Sequence, residues 1–413
     1  MQIFSARRYD TAEAFEYEID DGRFVAARPL RPADELAIRS LRAARSAPSP
    51  EPSGAAASNP PPSVSSLPWI APSLVDLQVN GWAGREFSSP TITIDDVRFV
   101  ADVQASQGVG RFCPTVTTGP FEVLRHGVAT IAAACRADHA LAGRIPAIHL
   151  EGPYISPIDG PRGAHPLAHC RAPDWDEFER LQESAAGRIR LITLSPEYTE
   201  APDFIRRAVG QGVVVSIGHT AADTGQIRAA VDAGARLSTH LGNGAHRMLR
   251  RHPNYLWDQL ADDQLTAMLI VDGHHLPPAV VQTFVRAKSP ERILLVSDVS
   301  ALAGLPPGRY RNQLCDSEML ADGRIVLAGQ DQLLAGASRP LLPGVANIMR
   351  FAGVDFRAAI DMASRRPAKL LGLDACEFRV GEKADFILLD DSAKLVGKRI
   401  AAGSTSTADS LAS

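Results

Sequence analysis

The sequence predicts an α/β protein: a (β/α)8 TIM-like barrel with a small β-sandwich domain formed by both chain ends. Three observations carry this expectation. Eight β-rich runs between residues 74 and 296 are separated by helical patterns, which favours a closed parallel barrel over an open sheet. Most of these runs end in polar or glycine-containing text, as strands do where they feed functional loops. Strand-like text also returns at both ends of the chain, outside the α/β stretch.

In chain order, residues 15–19 and 24–27 read as strands around Asp20-Asp21-Gly22, a hairpin signal. A helix is expected over residues 33–44, after Pro32. Residues 47–68 are rich in Pro, Ser and Ala and form no packed core, so they read as an extended insertion. The first barrel strand is residues 74–79, ending in Gln78-Val79-Asn80-Gly81. A helix at 97–108, a strand at 111–118 and a helix at 121–137 follow. Residues 145–150 deliver Glu151-Gly152-Pro153, and residues 189–194 deliver Ser195-Pro196-Glu197, ahead of a helix at 203–209.

Residues 213–243 then read as strand, turn, helix, strand. The first strand ends at Gly218-His219-Thr220. An amphipathic segment over 224–233 stops at Gly234, and residues 235–239 lead into His240. The last two strands, 267–271 and 293–296, end in Asp272-Gly273-His274-His275 and Ser297-Asp298. Residues 381–389 regain strand character. The expected domains are therefore 1–70 with 374–413, and 71–373.

Composition narrows the function. A net charge of −4, with 45% hydrophobic and 22% charged residues, supplies no basic footprint for nucleic acid and no polybasic signal for a membrane. Five scattered cysteines without a CxxC pair suit free thiols in a reducing compartment. With no apolar leader or bilayer-length apolar run, a cytoplasmic location is the expectation.

A barrel brings strand ends together whatever their separation in sequence. Glu151, His219 and His240 can then form a carboxylate-plus-two-imidazole set, which suits a divalent ion with one position left for water. Asp298, on a later strand, is placed to take a proton from that water. Each residue alone has an ordinary structural explanation as a cap or a satisfied loop histidine. Their shared position at strand ends favours chemistry.

Beyond this, residues 72–390 resemble the N-acetylglucosamine-6-phosphate deacetylase family of the amidohydrolase superfamily. The resemblance rests on PSLVDLQVNGWAGREF (72–87), HLEGPYISPIDGPRGAHP (149–166), SIGHTAADTGQIRAAVDAGARLSTHLGNGA (216–245), DGHHLPP (272–278), LLVSDVSALAGLPPGRY (294–310), LAGAS (334–338) and MASRRPAKLLGL (362–373), in that order. It implies Glu151, His219 and His240 as metal ligands, and Asp298 as the residue that activates water and protonates the departing amine. It further implies that His275 polarises the acetyl carbonyl, with His165, Asn243 and Gly244 at the substrate. The family expectation is release of acetate from N-acetylglucosamine 6-phosphate, with one divalent ion (zinc foremost, iron, cobalt or manganese also suited), a small amino-sugar substrate and a homodimer.

The sequence departs from its relatives in two places. Many amidohydrolases carry His-x-His on the first strand and bind two ions. Here Gln78 and Asn80 stand at those positions, and neutral amides are poor substitutes for imidazole, so one ion is expected. The loop after His240, LGNGAHRMLRRHPNYLWDQL, also leaves the family's usual text. A gapless alignment makes Arg251 the phosphate candidate, with Arg247 and Arg250 near it, because a guanidinium suits phosphate. That loop keeps open a deacetylase for another N-acylated sugar or amine. Loss of His-x-His keeps open, more remotely, a non-catalytic binding barrel.

Overall fold

The computed structural model describes residues 1–30, 66–311, 315–330 and 333–400. The helix expected over 33–44, most of the 47–68 insertion and the last 13 residues lie outside them. Two compact units are distinguished, one from both chain ends (Met1–Ser73 with Cys376–Ala401) and one from Leu74–Ala375.

In the first unit, β1 (Gln2–Arg8), β2 (Ala14–Asp20), β3 (Arg23–Pro29) and β4 (Trp69–Pro72) join β18 (Phe386–Leu389) and β19 (Leu395–Arg399) in one six-stranded sheet. Its order is β19-β18-β4-β1-β2-β3. The expected hairpin is β2–β3, turning at Asp21 and Gly22, both with positive φ, as the right-handed twist of a tight hairpin requires. Phe4 stacks on Phe386 at 5.2 Å, and Tyr17 and Phe24 pack at 5.6 Å, so aromatic burial joins the two chain ends. Neither β1 nor β4 was expected, because β1 ends in two arginines and β4 is four residues long.

The second unit is the barrel. Its strands are β5 (Leu74–Val79), β8 (Val109–Thr117), β9 (Ile148–Glu151), β10 (Ile189–Leu194), β11 (Val214–Ile217), β12 (Leu237–Ser238), β13 (Thr266–Leu269) and β14 (Ile293–Leu295), each pairing in parallel with the next. All eight expected runs supply a strand. The ring is joined by a parallel bridge between Val79 and Val299, where the Asn80 amide donates to the Val299 carbonyl at 2.8 Å. A small hairpin, β6 (Gly81–Trp82) and β7 (Arg85–Glu86), follows β5.

Helices form where the pattern demands. Phe121–Ala137 buries Leu124, Val128, Ile131, Ala132 and Cys135 along one stripe. Thr224–Ala233 starts with an Asp223–Gln226 capping box and stops at Gly234, whose φ of 117° is open to a residue without Cβ. A three-stranded antiparallel sheet, β15 (Gly308–Arg311), β16 (Asp316–Met319) and β17 (Ile325–Leu327), interrupts the α/β alternation late in the chain; it was not expected.

The barrel interior carries a polar chain where aliphatic residues usually dominate. His149 Nδ1 donates to the Leu77 carbonyl at 3.1 Å, which leaves Nε2 as an acceptor for the Thr193 hydroxyl at 2.7 Å. Thr193 accepts in turn from Thr239 at 2.7 Å, and Thr239 from Ser216 at 2.6 Å. The carbonyl at one end therefore fixes the direction of every hydroxyl. Burial pushes the His149 imidazole down to about 4, consistent with a neutral ring.

Candidate active site

Glu151 ends β9, and His219 and His240 each lie two residues past the ends of β11 and β12. His219, His240 and Asp298 have φ values of 50°, 28° and 51°, a left-handed backbone that L-residues rarely adopt. Such strain persists only where the surroundings enforce it, and it clusters at functional positions.

Three ligand atoms converge. His219 Nε2 and His240 Nε2 each lie 3.1 Å from Glu151 Oε1 and 3.1 Å from one another. His219 Nδ1 faces the Pro161 carbonyl at 2.9 Å; a carbonyl only accepts, so Nδ1 carries the proton and Nε2 presents its lone pair. A carboxylate oxygen and two imidazole nitrogens held this close offer three donor atoms to one point, as a divalent ion requires. The donor set and its convergence therefore fit a divalent ion. Burial disfavours the charged Glu151, but the adjoining His219 and His240 imidazoles outweigh it and hold the carboxyl well below its ordinary range.

His165 is a rival member of the group, since it, Glu151 and His219 offer ligand atoms within 4.8 Å of each other. Its Nδ1, however, is hydrogen-bonded to Thr118 Oγ1 at 2.9 Å, and its ring packs edge-on against His219 at 4.4 Å between centroids. Burial, aided by the neighbouring His219 ring, pushes it down to about 3. The tighter 3.1 Å triangle with His240 is the better metal-holding geometry.

The first-strand amides have found other work. Gln78 Nε2 donates to Glu151 Oε1 at 3.0 Å, and Asn80 Nδ2 donates to Asp298 Oδ1 at 2.7 Å. Both amides thus hold the site's two acids. Burial, with the Glu151 charge second, pushes the Asp298 carboxyl up to about 6, a value at which it can both take and return a proton near neutrality.

His275 lines the same cavity and is oriented by a residue the sequence reading passed over. Its Nδ1 donates to Asp272 Oδ2 at 2.9 Å, while Asp272 Oδ1 accepts the backbone N–H groups of His274 and His275 at 2.8 and 2.9 Å. The available signal was an Asp three residues before a candidate histidine, in the strand-to-loop text Asp272-Gly-His-His. The Pro161 carbonyl behind His219 carried no signal at all.

The cavity has a volume of about 420 Å3. Asn80, Glu151, His165, His219, His240, Asn243, Gly244, His275 and Asp298 all line it, while Gln78 is buried behind Glu151. Arg251 does not line it; the arginines that do are Arg247 and Arg324. Arg251 lies away from this cavity because the loop changes course after residue 247. His246 is tied to the Tyr255 hydroxyl through its backbone N–H and Nδ1, at 2.8 and 3.0 Å. Asn254 Nδ2 then pulls the carbonyls of Arg250 and Arg251 back toward the next helix, at 2.9 and 3.2 Å.

Comparison with known proteins adds the following. Residues 69–409 match the amidohydrolase family. N-acetylglucosamine-6-phosphate deacetylase of Bos taurus is 35% identical over 334 residues, covering 78% of this chain and 80% of the relative. N-acetylgalactosamine-6-phosphate deacetylase of Escherichia coli O157:H7 is 33% identical over 327 residues, covering 78% and 83%. A variant of the Mycobacterium smegmatis N-acetyl-D-glucosamine-6-phosphate deacetylase, solved with N-acetyl-D-glucosamine-6-phosphate, superposes with a TM-score of 0.80 at 28% identity, covering 97% of this chain and 98% of that one.

Proposed function

The chain belongs to the amidohydrolase family, and from that membership we propose that it hydrolyses the N-acetyl group of N-acetylglucosamine 6-phosphate, giving glucosamine 6-phosphate and acetate. The observation that carries the proposal is the 3.1 Å triangle of Glu151, His219 and His240 with Asp298 in the same cavity.

Glu151, His219 and His240 would hold one divalent ion, and their two nitrogens and one oxygen suit zinc. An ion there lowers the pKa of water and acts as a Lewis acid toward an amide oxygen. Asp298 accepts the proton of the attacking water and returns it to the departing amine nitrogen. Asn80 fixes Asp298 Oδ1, so the carboxylate meets the water in one orientation. His275 would serve as an imidazolium, with Nδ1–H held by the Asp272 carboxylate and Nε2–H given to the acetyl oxygen as negative charge develops there. His165, Asn243 and Gly244 line the wall around the sugar. Gln78 and Asn80, occupied as donors to the two acids, favour a single ion. A homodimer, resting on the family resemblance, and a cytoplasmic location, resting on the scattered cysteines, belong to the same proposal; among the described residues no helix is long and apolar enough to cross a membrane.

The test is acetate release by metal-replete protein from N-acetylglucosamine 6-phosphate, its galactosamine epimer and unphosphorylated N-acetylglucosamine. The 6-phosphate of N-acetylglucosamine should turn over best, and Asp298→Asn should retain bound metal while losing nearly all turnover. No acetate from any N-acetylated amino sugar, or full activity in Asp298→Asn, would overturn the proposal.

A further inference from the structure

The geometry points to an anion-binding subsite built from Arg247 and Arg324, with His274 in the adjoining wall, that takes the phosphate of the substrate in place of Arg251. This deepens the deacetylase proposal and rests on it for the identity of the substrate. Nothing in the family resemblance leads to Arg324, which lies in the turn between β16 and β17 of the late three-stranded sheet.

Charge placement is the first argument. Among the described residues, Arg247 and Arg324 are the only arginines or lysines lining the cavity. Its carboxylates include Glu151 and Asp298, already committed to the chemistry. A phosphorylated sugar entering this cavity meets permanent positive charge at these two side chains alone.

Arg324 is, moreover, held in a form suited to a tetrahedral oxyanion. It follows Asp322 and Gly323 in the turn joining β16 to β17, where the Leu320 N–H donates to the Arg324 carbonyl at 2.8 Å. Asp322 grips it twice, accepting the backbone N–H at 3.0 Å and Nε at 2.8 Å. Neither terminal amino group has a hydrogen-bond partner among the described residues. A guanidinium clamped through Nε presents its remaining fork with little entropy left to lose, the arrangement that recognises phosphate in a bidentate manner.

The course of the substrate loop supplies the third argument. Asn243, Gly244, Ala245 and Arg247 line the catalytic cavity, whereas Met248, Leu249, Arg250 and Pro253 line a separate hollow of about 350 Å3 with residues 221–224. The His246–Tyr255 tie marks the divide, and Arg247 is the last loop residue on the catalytic side. Its side chain has no ion-pair partner among the described residues. His274, which replaces no ligand of the candidate ion, lines the same cavity with its Nε2 buried and lacking a hydrogen-bond partner among the described residues. A buried orphan of this kind calls for an occupant, and a phosphate oxygen supplies one.

The experiment measures binding separately from turnover. Glucosamine 6-phosphate and glucosamine are titrated calorimetrically into metal-replete wild type and into Arg247→Met, Arg324→Met, Arg324→Lys and Arg251→Met, each checked for an unchanged thermal transition. Losing a charge-assisted hydrogen bond to phosphate should weaken glucosamine 6-phosphate binding by about 10- to 100-fold in Arg247→Met and Arg324→Met. Arg324→Lys should fall between wild type and Arg324→Met, since it keeps the charge and loses the fork. Glucosamine binding should be unaffected throughout, and Arg251→Met should match wild type. Loss of phosphate affinity in Arg251→Met with Arg247→Met and Arg324→Met intact overturns the subsite. So does wild type that binds both sugars equally. Phosphate-selective binding without acetate release would instead support the subsite and count against the deacetylase proposal, so the two failures are distinguishable.

Discussion

Gly244→Ala should weaken metal binding through a single methyl group. Gly244 has a φ of +54°, and a Cβ added there would sit 2.7 Å from His219 Nδ1, 3.0 Å from Cε1 and 3.2 Å from the Pro161 carbonyl oxygen. The methyl would therefore wedge against the 2.9 Å hydrogen bond that sets which nitrogen of His219 carries its proton. Two costs add. Alanine in left-handed backbone costs about 1–2 kcal/mol. Disturbing the partner behind a ligating imidazole lowers metal affinity by about 10- to 100-fold, or about 1.4–2.8 kcal/mol. A competing chelator measures the second term and a denaturation curve the first. Gly187→Ala is the control, because it shares a positive φ of 74° but meets nothing within 4 Å. It should lose stability alone. Equal metal affinity in Gly244→Ala and Gly187→Ala would refute the role assigned to the Pro161 contact.

Two further outcomes follow from buried partners. At Asp272, burial opposes the charge, but hydrogen bonds from His275 and the loop backbone outweigh it and hold the carboxyl below its ordinary range. The folded protein thus gives up this proton more readily than the unfolded chain. The resulting stability is present above about pH 4 and is lost as pH falls from there, so Asp272→Asn should flatten that acid limb in denaturant titrations; an unchanged limb would rule the pair out as its source. Thr239→Val leaves the buried Ser216 hydroxyl without its acceptor and should destabilise by about 1–3 kcal/mol, whereas Thr239→Ser should lose far less; equal urea midpoints for the two would contradict the hydroxyl chain.

Much of the barrel was legible because strand runs and helix stops are local signals. Residues 74–79, 121–137, 189–194 and 224–233 end where apolar periodicity, capping residues or Gly234 end them. Glu151, His219, His240 and Asp298 were found as a group because closing a barrel gathers strand ends, a rule that needs no side-chain detail. Contacts with no sequence period escaped notice. The first-strand amides were recognised as poor ligands, but not as donors to Glu151 and Asp298, since that depends on register across the ring. That Arg251 lies off this cavity was hidden because equal spacing does not mean an equal path, and the Tyr255 and Asn254 contacts divert the loop. Arg324 was invisible for the converse reason: it reaches the cavity from a sheet whose short, charged strands carry little apolar alternation.

The left-handed backbone at His219, His240 and Asp298 sets stability and chemistry against each other. Each such conformation costs about 1–3 kcal/mol, and glycine or asparagine would occupy it with less strain. Screening variants for heat resistance alone should therefore enrich replacements at the very positions to which the proposed reaction assigns its chemistry. The barrel would emerge sturdier and inert, so any engineering of this chain has to hold those three residues fixed and seek its stability elsewhere.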